Sequence, residues 1–286
     1  MSSSEGIDRR SEMCDSDQEA GARPLEAYYR QPKLWDIARY ESDPDQRLRA
    51  RIIASLIDPQ VRSVLDVGCG NGFITRHLRA EGRRVLGLDP SPEALAQFDG
   101  QCVHGRSEDL PFEDRSFDVV VCTEVLEHLA DDIFTRTVEE LARVAKESLV
   151  IGVPYRQDLR DGLTRCTACG TVYHTDLHQR TFNSPTDLLK RFPGFVQNAL
   201  ALIGTRLEMR SRLFRALRYR IVGPWGGSDY ARCPHCGQAE ATTDAGIRRM
   251  GLRRWFFEGV AWRMSRQEVP NWMIVHLRRT GVSHDA

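Results

Sequence analysis

The chain lacks several features that would fix its class at once. It has no unbroken apolar run near the roughly 18 residues that a membrane-spanning helix needs, which argues against a membrane span. No apolar signal core stands near the N-terminus, so we expect a cytoplasmic protein. Net charge is also absent, because 40 basic residues balance 40 acidic ones. The 286 residues leave room for one α/β domain and an attached lobe.

The charges are unevenly distributed along this neutral chain. Residues 1–24 contain six acids and few apolar groups, which predicts a disordered tail. Residues 205–268 contain 13 arginines, no lysine and six acids, a net charge of +7. Two interpretations stay open: amphipathic helices with solvated arginines, or a basic surface for a phosphate-bearing acceptor or a membrane. Nucleic acid is the weakest partner, because no RNA-binding signature accompanies the charge.

A glycine-rich turn follows the strand predicted at residues 63–67. Gly68, Gly70 and Gly72 allow the backbone to turn tightly and to approach a ligand closely. The next predicted strand ends at Asp89, where a carboxylate can accept both hydroxyls of a ribose. This arrangement predicts the first βαβ unit of a nucleoside-binding domain.

The turn differs from a dinucleotide fingerprint in two ways. The third glycine, Gly72, comes one residue early, and Phe73 takes its usual place. An acid, Asp66, precedes the glycines, where it would repel a pyrophosphate but suit a ligand with an ammonium and a sulfonium. Both points argue against a nicotinamide-dependent oxidoreductase. The turn instead resembles motif I of the class I S-adenosylmethionine (SAM) methyltransferases.

Later residues extend this resemblance. Residues 107–118 and 123–129 are similar to the "LPF…SFD…EVLEH" pattern of the small-molecule methyltransferase superfamily, and the match covers residues 61–156. The resemblance implies an α/β fold with a Rossmann-like seven-stranded sheet. It divides the chain into an N-terminal helical lobe at 25–60, a SAM-binding core at 61–204 and 269–282, and insertions at 157–183 and 205–268.

The resemblance also implies roles for single residues. The cofactor set comprises Asp66, Gly68, Gly70, Gly72, Asp89, Ser107, Glu108 and Thr123. The adenine contact is open between Ser107 and Glu108, because this chain has Arg106 where the family usually has an acid. The catalytic set comprises Glu124, His128 and His178, with Glu124 and His128 expected on one face of a helix. A scaffold role for that pair is the alternative, and an inactive binding module is the alternative for the whole chain.

Four of the eight cysteines form two Cys-x-x-Cys-Gly knuckles, at Cys166 and Cys169 and at Cys233 and Cys236. In a cytoplasmic protein paired cysteines indicate metal rather than disulfides, and four thiolates complete a tetrahedral zinc site. The knuckles are 63 residues apart, far more than in a compact ribbon. In the methyltransferase fold, however, the first would follow the fifth strand and the second would lie between the sixth and seventh. Two unpaired thiol turns are the alternative.

We therefore expect a structural zinc that holds a zinc-ribbon-like, arginine-rich cap over the acceptor site. Removing it should leave the nucleotide pocket largely intact. The acceptor itself is not fixed by the fold. The resemblance favours a small-molecule or glycan-type acceptor, and the arginines suggest one that is phosphate-bearing or lipid-linked.

Overall fold

The computed structural model describes residues 26–223, 228–239 and 266–281. The predicted tail at 1–24 and most of the aromatic and basic stretch at 248–266 lie outside these described residues. The strands are β1 Ser63–Val67, β2 Arg84–Asp89, β3 Cys102–His104, β4 Phe117–Thr123, β5 Ala145–Pro154, β6 Leu163–Arg165, β7 Val172–His174, β8 Phe195–Ile203, β9 Arg206–Met209, β10 Arg266–Val269 and β11 Trp272–Arg279.

The helices lie before and between these strands. They are α1 Glu26–Tyr29, α2 Ile37–Ser42, α3 Pro44–Ser55, α4 Phe73–Ala80, α5 Pro92–Leu95, α6 Asp131–Val144, α7 Pro185–Leu189 and α8 Arg212–Val222, with 3-10 turns at Pro32–Trp35, Leu126–His128 and Leu159–Gly162. The first helices fall in the predicted N-terminal lobe. The division into domains remains a prediction.

Seven strands form one mixed sheet in the order β3-β2-β1-β4-β5-β11-β8. β11 runs antiparallel to both of its neighbours, β5 and β8, whereas β1 to β5 pair in parallel. The predicted seven-stranded Rossmann-like sheet is therefore confirmed. Two separate pairs, β6 with β7 and β9 with β10, stand outside it.

The central strands β1, β4 and β5 are buried on both faces along most of their length, which explains why they are almost continuously apolar. Leu65 and Val67 of β1 face one core layer together with Leu141 of α6. Val64 points to the opposite layer, where Ile53 of α3 packs. Successive side chains of a strand alternate between faces, so β1 connects the two layers.

The strand order changes direction between β1 and β4, since β2 and β3 extend one way and β5 the other. In open α/β sheets ligands bind at such a point, beyond the carboxyl ends of the strands. The glycine turn follows β1 there, and Thr123 ends β4 beside it.

Candidate active site

The glycine turn places its backbone donors on the end of β2. Gly68, Gly70 and Gly72 have φ values of 74°, 54° and 82°, a region that L-residues with side chains avoid. The Gly70 N–H donates to Asp89 Oδ2 at 2.8 Å, and the Ser91 N–H donates to Oδ1 at 2.8 Å. Burial raises the pKa of Asp89, and these two N–H donors oppose that shift. Each carboxylate oxygen keeps a further lone pair, so the orientation suits a pair of ligand hydroxyls.

Asp66 lies behind the turn rather than in front of it. Its side chain is 1% exposed, and Oδ2 accepts a hydrogen bond from Thr75 Oγ1 of α4 at 2.5 Å. Burial raises its pKa to about 6 although the Thr75 hydroxyl opposes the shift. The side chain therefore joins β1 to α4 directly beneath the glycines.

The N-terminal segment covers the outer side of the turn. A Cβ atom on Gly70 would lie 2.9 Å from the ring of Trp35, and Asn71 Nδ2 donates to the Trp35 carbonyl at 2.8 Å. Tyr29 stacks on Trp35 with ring centroids 6.5 Å apart, and its carbonyl accepts from Ser91 Oγ. Tyr29 and Trp35 thus cover the outer side of the glycine turn.

The predicted adenine residues are engaged with the protein itself. Ser107 Oγ pairs with Thr137 Oγ1 of α6 at 2.9 Å and is buried. Glu108 Oε1 faces Arg106 Nη1 at 3.9 Å. An adenine contact from either residue stays a prediction.

The expectation that Glu124 and His128 share a helical face is wrong. Glu124 has φ 58°, which ends β4 in a left-handed turn, and only the 3-10 turn Leu126–His128 follows. Glu124 Oε2 accepts from Trp272 Nε1 at 2.9 Å, and Oε1 lies 3.6 Å from Arg49 Nη1. Its charge is therefore balanced on the side of β11 and α3. Thr123 is buried at the end of β4, as expected for a residue at the sheet edge.

The predicted His128 and His178 do come together. Their ring centroids are 4.6 Å apart, and His174 stacks on His178 at 4.7 Å. Burial lowers the pKa of His128 to about 4, of His174 to about 4 and of His178 to about 2. Burial therefore favours the neutral form of all three rings.

Sequence reasoning missed Glu127, the acid immediately before His128. Its side chain is fully buried, and Oε1 lies 3.9 Å from His128 Nε2. Burial raises its pKa well above the ordinary value, and the Glu124 charge adds to the effect. The only sequence signal for a role of Glu127 was that it directly precedes His128. On the predicted helix its side chain would have pointed away from Glu124.

The four knuckle cysteines converge from distant parts of the chain. Cys166 Sγ lies 3.6 Å from Cys236 Sγ, Cys169 Sγ lies 3.6 Å from Cys233 Sγ, and all four sulfurs are within 4.8 Å of one another. A tetrahedral zinc with Zn–S bonds of about 2.3 Å sets sulfurs about 3.8 Å apart. The donor set therefore fits this ion.

The two knuckles have the same backbone geometry. Cys166 N donates to Thr171 O and Cys233 N donates to Gln238 O, both at 2.9 Å. Gly170 and Gly237 follow with φ 76° and 74°. Each turn thus directs its two sulfurs inward, and the β6–β7 hairpin carries the first.

The cysteines also pack against the N-terminal segment. Cys166 and Cys233 belong to one buried cluster with Tyr28 and Leu34, and Trp35 packs on it. Gln31 Nε2 donates to the Tyr230 carbonyl at 2.8 Å, next to the second knuckle. Through these contacts the knuckles support the segment that covers the glycine turn. The knuckle lobe is therefore not independent of the cofactor side.

A cavity of about 400 Å³ opens beside His174. Its wall includes Gln157, Asp158, Asp161, His174, Asp176, Arg206 and Glu208. Arg215 of α8 pairs with Asp158 at 3.0 Å, and Arg218 lies 3.9 Å from Asp161. These arginines of the basic lobe are therefore buried against carboxylates.

Comparison with known proteins assigns the central part of the chain. Residues 65–150 match the family described as "Methyltransferase domain". The chain is 36% identical over 93 residues to an "Uncharacterized methyltransferase" of Mycobacterium sp. (strain KMS), covering 31% of this chain and 36% of that protein. It is 31% identical over 130 residues to "Ubiquinone biosynthesis O-methyltransferase" of Paracidovorax citrulli (strain AAC00-1), covering 40% and 52%. The chain thus spans about a third to a half of these relatives.

The fold has a matching solved structure. A candidate methyltransferase from Bacillus halodurans C-125 superposes with a TM-score of 0.50 at 15% identity, over 82% of this chain and 99% of that one. The chain has the class I SAM-dependent methyltransferase fold. The segment that matches the methyltransferase domain, residues 65–150, includes Asp66, the glycine turn, Asp89 and the residues up to β5. Within the described ranges, no helix is long and apolar enough to cross a membrane.

Proposed function

We propose that the whole protein transfers a methyl group from SAM to a small-molecule or glycan-type acceptor. The observation that carries the proposal is the Asp89 carboxylate, oriented by the Gly70 and Ser91 N–H groups at 2.8 Å beside the glycine turn. A carboxylate held in this way is prepared to accept the two ribose hydroxyls of SAM. Its burial strengthens those bonds because water competes less.

The remaining cofactor roles follow from position. Gly68, Gly70 and Gly72 let the sugar approach the backbone, and Asp66 favours the cationic methionyl end through its charge behind the turn. Thr123 stands beside the transferring methyl. Ser107 and Glu108 lie on the adenine side, through backbone groups in the case of Ser107 because its hydroxyl is bound to Thr137.

SAM carries its own leaving group, so the protein mainly positions the reactants and helps to remove a proton. Glu124, His128 and His178 lie at the acceptor side of the sheet edge and are the residues we assign to that task. The direct interaction of His128 with His178, rather than with Glu124, distinguishes this arrangement from the one expected.

We further propose that Cys166, Cys169, Cys233 and Cys236 hold one structural zinc ion. The sulfur separations and the two matching knuckles support it. Four thiolates leave no open coordination position, so this ion supplies stability and no chemistry. It joins the β6–β7 hairpin to the second knuckle, in residues 228–239, and the two together form the zinc-ribbon-like cap.

The acceptor cavity is lined by four carboxylates and one arginine, which suits a polar small molecule. A phosphate-bearing or lipid-linked acceptor is a narrower version of the proposal. It would depend on arginines at 248–263, outside the described residues, because Arg215 and Arg218 already face acids. We place the protein in the cytoplasm, consistent with paired cysteines that bind metal.

Incubation of the purified chain with methyl-labelled SAM and fractionated metabolite extracts tests this function. Label transferred to a small molecule by the wild type but not by Asp89→Ala supports it. A protein that binds SAM without turnover on any extract favours the second candidate, an inactive methyltransferase-like module whose cap recruits a partner. Arg106, which faces Glu108 on the adenine side, is the observation that favours this candidate.

A further inference from the structure

A second group of metal-ligand side chains lies on the acceptor side, apart from the cysteines. Glu127, His128 and His178 each offer one ligand atom, and the three atoms lie within 4.8 Å of one another. Glu127 and His128 come from the 3-10 turn after β4, whereas His178 comes from the loop after β7. The fold therefore brings them together across 50 residues of sequence.

Glu127 is the unusual member of this group. It is 0% exposed, and neither of its carboxylate oxygens has a hydrogen-bond partner among the described residues. His128 Nδ1 is likewise without one in this part of the chain. Burying a carboxylate without partners is strongly unfavourable, whereas a bound cation removes the penalty. The site thus has the form of a cation site and not of a hydrogen-bonded scaffold.

A neighbouring side chain fixes the orientation of His178. Its Nδ1 lies 2.6 Å from Gln157 Oε1, and an amide oxygen can only accept. The proton is therefore on Nδ1, and Nε2 keeps the lone pair that a metal needs. Such an outer hydrogen bond is the usual accompaniment of a ligating histidine.

We propose that Glu127, His128 and His178 bind one divalent transition-metal ion. Two imidazoles and one carboxylate favour ions such as Mn²⁺, Fe²⁺ or Co²⁺ over Mg²⁺ and Ca²⁺, which prefer oxygen. Three protein ligands leave coordination positions open, in contrast to the closed set of four cysteines. The two sites on one chain are then of different kinds, one structural and one able to bind a ligand.

Two neighbours of His178 line the acceptor cavity. Gln157, which orients His178, and His174, which stacks on it, both line the cavity of about 400 Å³. On the proposed methyltransferase function, the ion would hold an acceptor through a hydroxyl oxygen. The hydroxyl proton leaves to solvent, the oxygen pair forms the new bond to the methyl carbon, and the carbon–sulfur pair remains on sulfur, which becomes a neutral thioether. His128 is then a ligand and not the base.

Titration of the metal-stripped, zinc-reloaded full chain with MnCl₂, followed by the electron paramagnetic resonance signal of free Mn²⁺, tests the site. Thiolates bind Mn²⁺ poorly, so the cysteines do not obscure the result. We expect one Mn²⁺ per chain in the wild type and at least tenfold weaker binding in Glu127→Gln and in His178→Ala. Glu139→Gln, which removes one exposed carboxylate from α6, should bind as the wild type does.

The proposal fails if the folded wild type binds no Mn²⁺, or if Glu127→Gln, folded by circular dichroism, binds it unchanged. Calorimetric binding of SAM is measured on the same samples. A wild type that binds Mn²⁺ but not SAM would contradict the methyltransferase function and support the metal site. A wild type that binds SAM but not Mn²⁺ would support the methyltransferase function and overturn the metal site.

Discussion

The cofactor half and the acceptor half of the sheet edge satisfy their buried charges in different ways. In the cofactor half, the glycine turn with Asp66 and Asp89, each carboxylate receives hydrogen bonds from the protein itself. In the acceptor half, the Glu127 carboxylate has no such partner within the described structure, and burial lowers the pKa of the three histidines. The first half satisfies its buried carboxylates with its own donors, whereas the second leaves one without a hydrogen-bond partner among the described residues.

This difference explains which half the sequence could predict. A glycine turn and the acid that ends the next strand are local features, fixed by backbone geometry within about 25 residues. The two cysteine knuckles could also be predicted, because the Cys-x-x-Cys-Gly spacing determines each turn locally. Their convergence could be predicted only from the topology of the family that the sequence resembles.

The acceptor half could not be predicted in the same way. The positive φ at Glu124 replaced a predicted helix with a 3-10 turn, and so redirected Glu124 to Trp272 and brought Glu127 inward. The contact of Cys166 and Cys233 with Tyr28 and Leu34 joins segments more than 130 residues apart. No local pattern encodes such a contact.

Loss of the proposed zinc site should have the largest effect, because structural zinc commonly contributes about 10 kcal/mol or more to small metal domains. We expect Cys233→Ser to lose the ion and to show faster hydrogen exchange at residues 28–35, 163–174 and 231–239, while β1, β4 and β5 stay protected. Since the cysteines pack on the segment that covers Gly70, SAM affinity should also fall, against the expectation from sequence. Cys102→Ser, outside the cluster, is the control. Unchanged hydrogen exchange at residues 28–35 would mean that the cysteine cluster does not stabilise the segment that covers the cofactor half.

Asp89→Ala should weaken SAM binding by roughly 2–3 kcal/mol, because charge-assisted bonds to two ribose hydroxyls are lost. The measurement is calorimetric affinity at constant pH. Asp132→Ala, an exposed acid at the start of α6, should bind SAM as the wild type does. An equal loss in both variants would mean that charge in general, and not the position of Asp89, governs binding.

Asp66→Asn should stabilise the ligand-free protein by about 1–3 kcal/mol at pH 8 and hardly at all at pH 4. The folded pKa of about 6 is above the ordinary 3.8, so this carboxyl contributes stability that is present below pH 4 and lost as pH rises through 6. Asn can still accept the Thr75 hydrogen bond. Urea denaturation at both pH values gives the difference. A variant less stable than the wild type at pH 8 would show that the charged form is not unfavourable there.

The smallest effect we expect is the difference in stability between the variants Gly70→Ala and Gly82→Ala. Both glycines have positive φ, so each substitution costs about 1 kcal/mol in backbone strain. Only the Gly70 variant adds a Cβ atom 2.9 Å from Trp35, whereas nothing lies within 4 Å at Gly82. We expect roughly 1 kcal/mol more destabilisation at Gly70, measured by denaturation. Equal costs would mean that Trp35 does not rest on the turn in solution.

Calorimetric titration of the purified full chain with SAM, its demethylated product and NAD decides whether the glycine turn and Asp89 form a SAM site. We expect one SAM or product site per chain, no binding of NAD, and a sharp loss of affinity in Asp89→Ala. Binding of NAD, or SAM affinity unchanged by Asp89→Ala, would contradict it.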